Sequence, residues 1–120
     1  MAAADPLAAA FTKVETAAKG LPEVERGTSY GTPALKVRGK LFARLKDADT
    51  LVVMCALEEK EMLLEVASDI YFQTDHYKGW PAILMRLKKT RAAELRHRLA
   101  KAWRLKAPKR LVKELDEKSV

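Results

Sequence analysis

Three features of the 120-residue sequence predict an α+β fold, a single domain with an antiparallel sheet of about five to six strands and helices packed on it. Apolar and basic residues alternate with period two from Leu35 to Leu45, as in strands with one buried face. Thr50 to Ala56 (TLVVMCA) is a continuous apolar run, short enough for a strand covered on both faces. The segments with helical periodicity lie at the two ends and once in the middle, giving the order helix, four strands, helix, two strands, helices. That order fits an antiparallel sheet covered on one face, because a parallel sheet needs a helix after nearly every strand. On size, residues 1–120 form one domain able to bury about two-thirds of the unfolded surface.

Asp5-Pro6 is a helix cap followed by a proline at the first helical position, and Gly20 ends the alanine-rich run near Lys19. Leu7, Phe11, Val14 and Ala18 form the apolar stripe of this helix. Leu21-Pro22 breaks it, and Glu23 to Tyr30 reads as a polar edge strand. Thr32-Pro33 starts the next strand, since proline fixes its own φ and keeps the residue before it extended.

Gly39 separates the two alternating runs, so an odd, roughly three-residue loop with glycine in the left-handed position is the simplest hairpin. Such a loop places Leu35, Val37, Leu41, Ala43 and Leu45 on one face. Lys36, Arg38 and Arg44 then surround Phe42 on the other, with Lys40 near the tip. Lys46 to Asp49 is turn-like, and Thr50 to Ala56 is the central strand.

Glu58, Glu59 and Glu61 favour the positive end of a second helix, whose apolar face is read as Met62, Leu63, Val66 and Ala67. Ile70 to Gln73 and Pro81 to Leu87 read as strands joined through TDHYKGW. Thr90 caps a helix from Arg91 to Lys106, with Ala92, Leu95, Leu99 and Trp103 turned inward. Pro108 opens a last helix carrying Leu111, Val112 and Leu115.

Charge is unevenly placed. Met1 to Met85 holds ten basic and twelve acidic residues, whereas Arg86 to Lys113 holds twelve basic residues against Glu94 alone. The excess cation behind the net +7 therefore lies in one C-terminal block, the asymmetry of a polyanion footprint. A helix that is merely solvated normally mixes both signs in i, i+4 pairs. Lysine and arginine on an edge hairpin also serve solubility and discourage edge pairing, so that use of Lys36, Arg38 and Arg44 stands beside the binding one.

The segments SYGTPALKVRGKLFARL (29–45), TDHYKGWPAILMRL (74–87) and AWRLKAPKRL (102–111) resemble the MmcQ/YjbR family, over roughly Leu21 to Leu115 and in the same order. The resemblance implies an α+β domain of double-wing type and a DNA-binding role. It supplies no catalytic or base-reading residues.

Together these observations point to DNA bound through phosphates, with weak sequence specificity. On the hairpin the candidate contacts are Lys36, Arg38, Lys40 and Arg44. In the C-terminal block they are Arg86, Lys88, Lys89, Arg91, Arg98, Lys101, Arg104 and Lys109. Phosphate contacts position a duplex without reading it. The chain has no asparagine and a single glutamine, Gln73, so readout would fall to arginines or to DNA shape.

The alternatives are a protein- or small-ligand-interaction module and, more distantly, an enzyme using Asp75, His76 and Tyr77, with Cys55 a conceivable nucleophile. The expectation is no enzyme, because Cys55 lies in a buried run and no glycine-rich nucleotide loop is present. Two separated histidines and one cysteine do not make a zinc site, and no cofactor is implied. Tyr30, Trp80 and Trp103 invite stacking, although Trp80 and Trp103 read as core residues. The N-terminus lacks a basic leader, and Asp5, Lys13 and Glu15 interrupt its apolar part. A single cysteine fits a reducing compartment. The expectation is a cytoplasmic monomer or weak dimer.

Overall fold

The computed structural model describes residues 5–118, so the part of the leader reading that rests on residues 1–4 lies outside the described residues. Asp5 accepts a hydrogen bond from the Leu7 amide at 3.0 Å and Pro6 takes the first helical position, opening α1 (Pro6–Ala17). The strands β1 (Val24–Ser29), β2 (Thr32–Val37), β3 (Lys40–Leu45) and β4 (Thr50–Met54) follow as a meander. Next come α2 (Leu57–Val66), β5 (Tyr71–Phe72), β6 (Ala82–Arg86), α3 (Ala92–Lys106) and α4 (Lys109–Lys118). All six strands pair antiparallel in the order β1-β2-β3-β4-β6-β5, with the apolar β4 central as its sequence requires. No described helix is long and apolar enough to cross a membrane.

One face of the sheet carries the main core. Leu35, Val37, Leu45, Leu51, Val53, Ile83 and Met85 pack there against Phe11 and Val14 of α1, Leu95, Leu99 and Trp103 of α3, and Leu111 of α4. Trp103 is fully buried, and its indole N–H donates to the Pro22 carbonyl at 3.0 Å. Among the described residues the opposite face holds only a small cluster, Val52, Ala82 and Leu84 beneath Tyr77, to which no α-helix contributes a residue.

The β2–β3 hairpin differs from expectation in loop and register. Its loop has two residues, Arg38 at φ +51° and Gly39 at φ +77°, the pair of positive φ values that a type I′ turn requires. Leu35 pairs with Ala43 but Lys36 pairs with Leu41, so Phe42 is an extra, bulged residue. The even loop would by itself reverse the faces, and the bulge reverses them again. Phe42 and Ala43 both enter the core, Phe42 with no exposed surface, while Leu41 turns to the side of Lys36. Burying the larger aromatic, worth about 2–3 kcal/mol, outweighs strict alternation.

Three helix expectations are also corrected. Thr90 does not cap α3: its hydroxyl donates to the Arg86 carbonyl at 2.7 Å, and Arg91 holds the cap position without a side-chain bond. Ala92 is exposed, and the inner stripe is Leu95, Arg98, Leu99, Ala102 and Trp103. In α2 the inward residues are Lys60 and Leu63, with Leu64 partly buried, so Met62 and Val66 face solvent. Lys60 is 3% exposed because its ammonium donates to the carbonyls of Tyr77 at 2.6 Å and Trp80 at 2.9 Å. It thereby fastens the 3-10 turn Asp75–Tyr77 and the residues after it to α2.

Candidate nucleic-acid interface

Pairing alternates side chains between the two faces, and the uncovered face receives Lys36 from β2, Arg44 from β3 and Arg86 from β6. Each is held by the sheet around it. Lys36 lies along Gly27 of β1, where a side chain would meet its stem. Arg44 donates to the Thr32 hydroxyl and the Tyr77 hydroxyl, both at 3.1 Å, and stands 5.1 Å from the Tyr30 ring. Arg86 covers the Phe72 ring at 4.2 Å and donates to the Ser68 carbonyl at 3.1 Å. Cations ordered over aromatic rings keep their charge accessible while losing little rotamer freedom on binding.

Tyr30 at the β1–β2 turn and Arg38 at the β2–β3 turn carry large side chains at φ values near +50°, where glycine or asparagine is easier. Tyr30 is 86% exposed. Arg38 pairs with Glu23 at 2.7 Å, and Lys40 beside it stands exposed.

The C-terminal block divides. Lys88 and Lys89 lie exposed in a 3-10 turn after β6, next to Arg91 at the start of α3, and the Lys88 amide is anchored by the Asp49 carboxylate at 2.8 Å. Lys109 is exposed in the first turn of α4. The other members are engaged internally. Arg98 is a correction, because it is 4% exposed and belongs to the core side of α3. Its guanidinium pairs with Glu59 at 2.8 Å and donates to the Tyr71 hydroxyl at 3.2 Å, so it is closed to a phosphate. Tyr71 in turn donates to Glu94. Burial, and then the Glu94 carboxylate, push the Tyr71 phenol well up. Lys101 reaches the same Glu59 at 2.7 Å, and that hydrogen bond, opposed by burial and reinforced by the Arg98 charge, holds the carboxyl below its ordinary value. Arg104 pairs with Asp116 at 2.5 Å.

The residues weighed for catalysis are divided between the surface and the interior. Asp75 and His76 are exposed, and Tyr77 is buried with its hydroxyl accepting from Arg44. Cys55 is buried on the core side, where burial pushes its thiol up, the direction that weakens a nucleophile. Among the described residues no group of three or more His, Cys, Asp or Glu could hold a metal ion. Trp80 is a further correction: it is 58% exposed, stacked with His76 at 6.2 Å between ring centres and 18° between planes.

A family model, YjbR, matches residues 19–105, from just after α1 through nearly all of α3. The uncharacterized protein Rv2570 of Mycobacterium tuberculosis is 42% identical to this chain over 43 residues. The same figures hold for the uncharacterized protein Mb2600 of Mycobacterium bovis. That stretch is 36% of this chain and 33% of each relative, so the match spans about a third of the length of those proteins. No solved structure matches the chain. The family model covers all six strands and the uncovered face, and on that match the chain belongs to the YjbR family.

Proposed function

We propose that this protein binds nucleic acid, duplex DNA first, through phosphate contacts and with little base readout. One observation carries the reading. Lys36, Lys40, Arg44, Arg86, Lys88, Lys89, Arg91 and Lys109 have no acidic partner within 4.0 Å among the described residues. Cations left without acidic partners on a folded surface raise the local potential and exchange bound counterions for phosphates. Asparagine is absent and Gln73 is half-buried, which leaves little for major-groove reading. A cytoplasmic protein without cofactor or catalytic step fits this role.

Fluorescence anisotropy of a labelled duplex at about 50 and 200 mM salt tests it. With about five phosphates neutralised, affinity falls about 500-fold across that range. The double variant Lys36→Ala, Lys40→Ala binds with a slope shallower by nearly two. No binding at the lower salt removes the reading, because the phosphate contribution is largest there.

A further inference from the structure

The uncovered face ends, near the tip of the β2–β3 hairpin, in a groove of about 410 Å³ lined by Lys40, Leu41, Met54, Trp80, Pro81 and Ala82, with Lys106 at its side. Its floor is apolar: Met54 and Ala82 are paired across β4 and β6, Leu41 of β3 lines the groove with them, and Leu41 is there because the Phe42 bulge turned it outward. Trp80 forms a wall. An exposed indole ring is unusual, and here the backbone that carries it is also held in place. The Trp80 amide donates to the Tyr77 carbonyl at 3.0 Å, and the Trp80 carbonyl accepts from the Ala82 amide at 2.8 Å and from the buried Lys60 ammonium. His76 stacks on the indole and does not line the groove. Lys40 and Lys106 come from different elements, the hairpin and the end of α3, and neither has an acidic partner within 4.0 Å among the described residues.

An anchored aromatic wall, an apolar floor and cations at the rim are complementary to a flat, apolar-faced group joined to phosphates. We propose that this groove takes one unpaired base of a nucleic-acid strand, stacked on Trp80, with the adjoining phosphates met by Lys40 and Lys106. The inference rests on the nucleic-acid reading and narrows it. A base inside a duplex has both faces stacked on its neighbours and cannot enter a groove of this size, so strands with unpaired bases bind more tightly than intact duplex. Base stacking on an aromatic tolerates any sequence, in keeping with the scarcity of reading groups.

Of the two tryptophans, Trp103 is fully buried, so quenching of indole emission by ligand reports Trp80. The intact protein is titrated at about 50 mM salt with an oligothymidylate of about twelve nucleotides, with a duplex of the same length, and with thymidine monophosphate. The single strand is expected to quench the emission. Trp80→Ala is expected to weaken single-strand binding about tenfold while leaving duplex affinity within about twofold, and Trp80→Phe to keep most of the loss from appearing. The exposure of Trp80 makes both variants foldable, which a thermal melt checks. Unchanged emission, with single-strand affinity unaltered in Trp80→Ala and duplex still bound, overturns the base-stacking inference and leaves the phosphate reading standing. Failure of strand and duplex alike at low salt overturns both. Quenching by the monophosphate with neither strand nor duplex bound makes the groove a small-nucleotide site and overturns the strand assignment.

Discussion

Arg98→Ala removes a guanidinium that is 4% exposed and joined to Glu59 at 2.8 Å and to the Tyr71 hydroxyl at 3.2 Å. Breaking a buried ion pair by deleting one partner costs about 3–5 kcal/mol, mainly because the other charge is left uncompensated. Here the damage is limited. Glu59 is 24% exposed and keeps Lys101 at 2.7 Å, and Tyr71 keeps its bond to Glu94. The loss therefore belongs at the lower end, about 3 kcal/mol, which in a domain of this size lowers the melting temperature by about 12 °C at about 4 °C per kcal/mol. Circular dichroism melts at neutral pH give that shift, and duplex anisotropy at a temperature where both proteins are folded gives the affinity, expected within about twofold of wild type. Arg91→Ala serves as the counterpart, with an unaltered melt and a shallower salt dependence. An Arg98→Ala protein that melts within about 3 °C of wild type but binds DNA much more weakly would refute the reasoning, because the guanidinium would then be a ligand contact.

The bulge predicts that Phe42→Ala loses about 3–5 kcal/mol in urea denaturation and Leu41→Ala about 1 kcal/mol; equal losses contradict the shifted register. Because the Glu59 carboxyl is held below its ordinary 4.5, its ion pairs contribute fully above that value and are lost as pH falls through and below it. The stability gap between wild type and Glu59→Gln is therefore expected to shrink as pH falls below about 4.5, and a constant gap would contradict the pairing. Lys60→Met leaves the Tyr77 and Trp80 carbonyls without their ammonium donor and loosens the segment that carries Trp80. Greater quenching of indole emission by acrylamide reports it. Burial depresses the Lys60 ammonium, so the folded state binds that proton less tightly than the unfolded chain, and wild-type stability relative to Lys60→Met is expected to rise with pH toward 10.5.

Much of the fold was legible because local pattern and burial agree there. The run TLVVMCA is apolar throughout and became the central strand, and Asp5-Pro6 capped α1 as those residues do. The hairpin parity was not legible. Whether Leu41 or Phe42 enters the core depends on which side chain the helices on that face can bury, a matter decided by packing rather than alternation. Thr90 had a competing use for its hydroxyl, the Arg86 carbonyl, that only the folded chain provides. Two buried cations did leave a signal. Arg98 sits three residues after Leu95 and four before Ala102, and Lys60 three before Leu63, so both lie on the inner stripe of their helices by phase alone. Reading Arg98 as a surface contact followed residue type where position was the better guide, and Lys60 was not singled out in the sequence. Trp80 gave no such hint, since a residue before proline at a strand start is equally compatible with core and surface.

The salt dependence of duplex binding by wild type and by the triple variant Lys88→Ala, Lys89→Ala, Arg91→Ala bears most directly on the phosphate account. Each of these side chains is exposed and without an acidic partner among the described residues, and each is expected to displace about one counterion. The account predicts a straight line of log affinity against log salt whose slope is shallower in the variant by nearly three, with an unchanged melting temperature. Parallel lines for the two proteins, or a wild-type affinity that does not depend on salt, would contradict it.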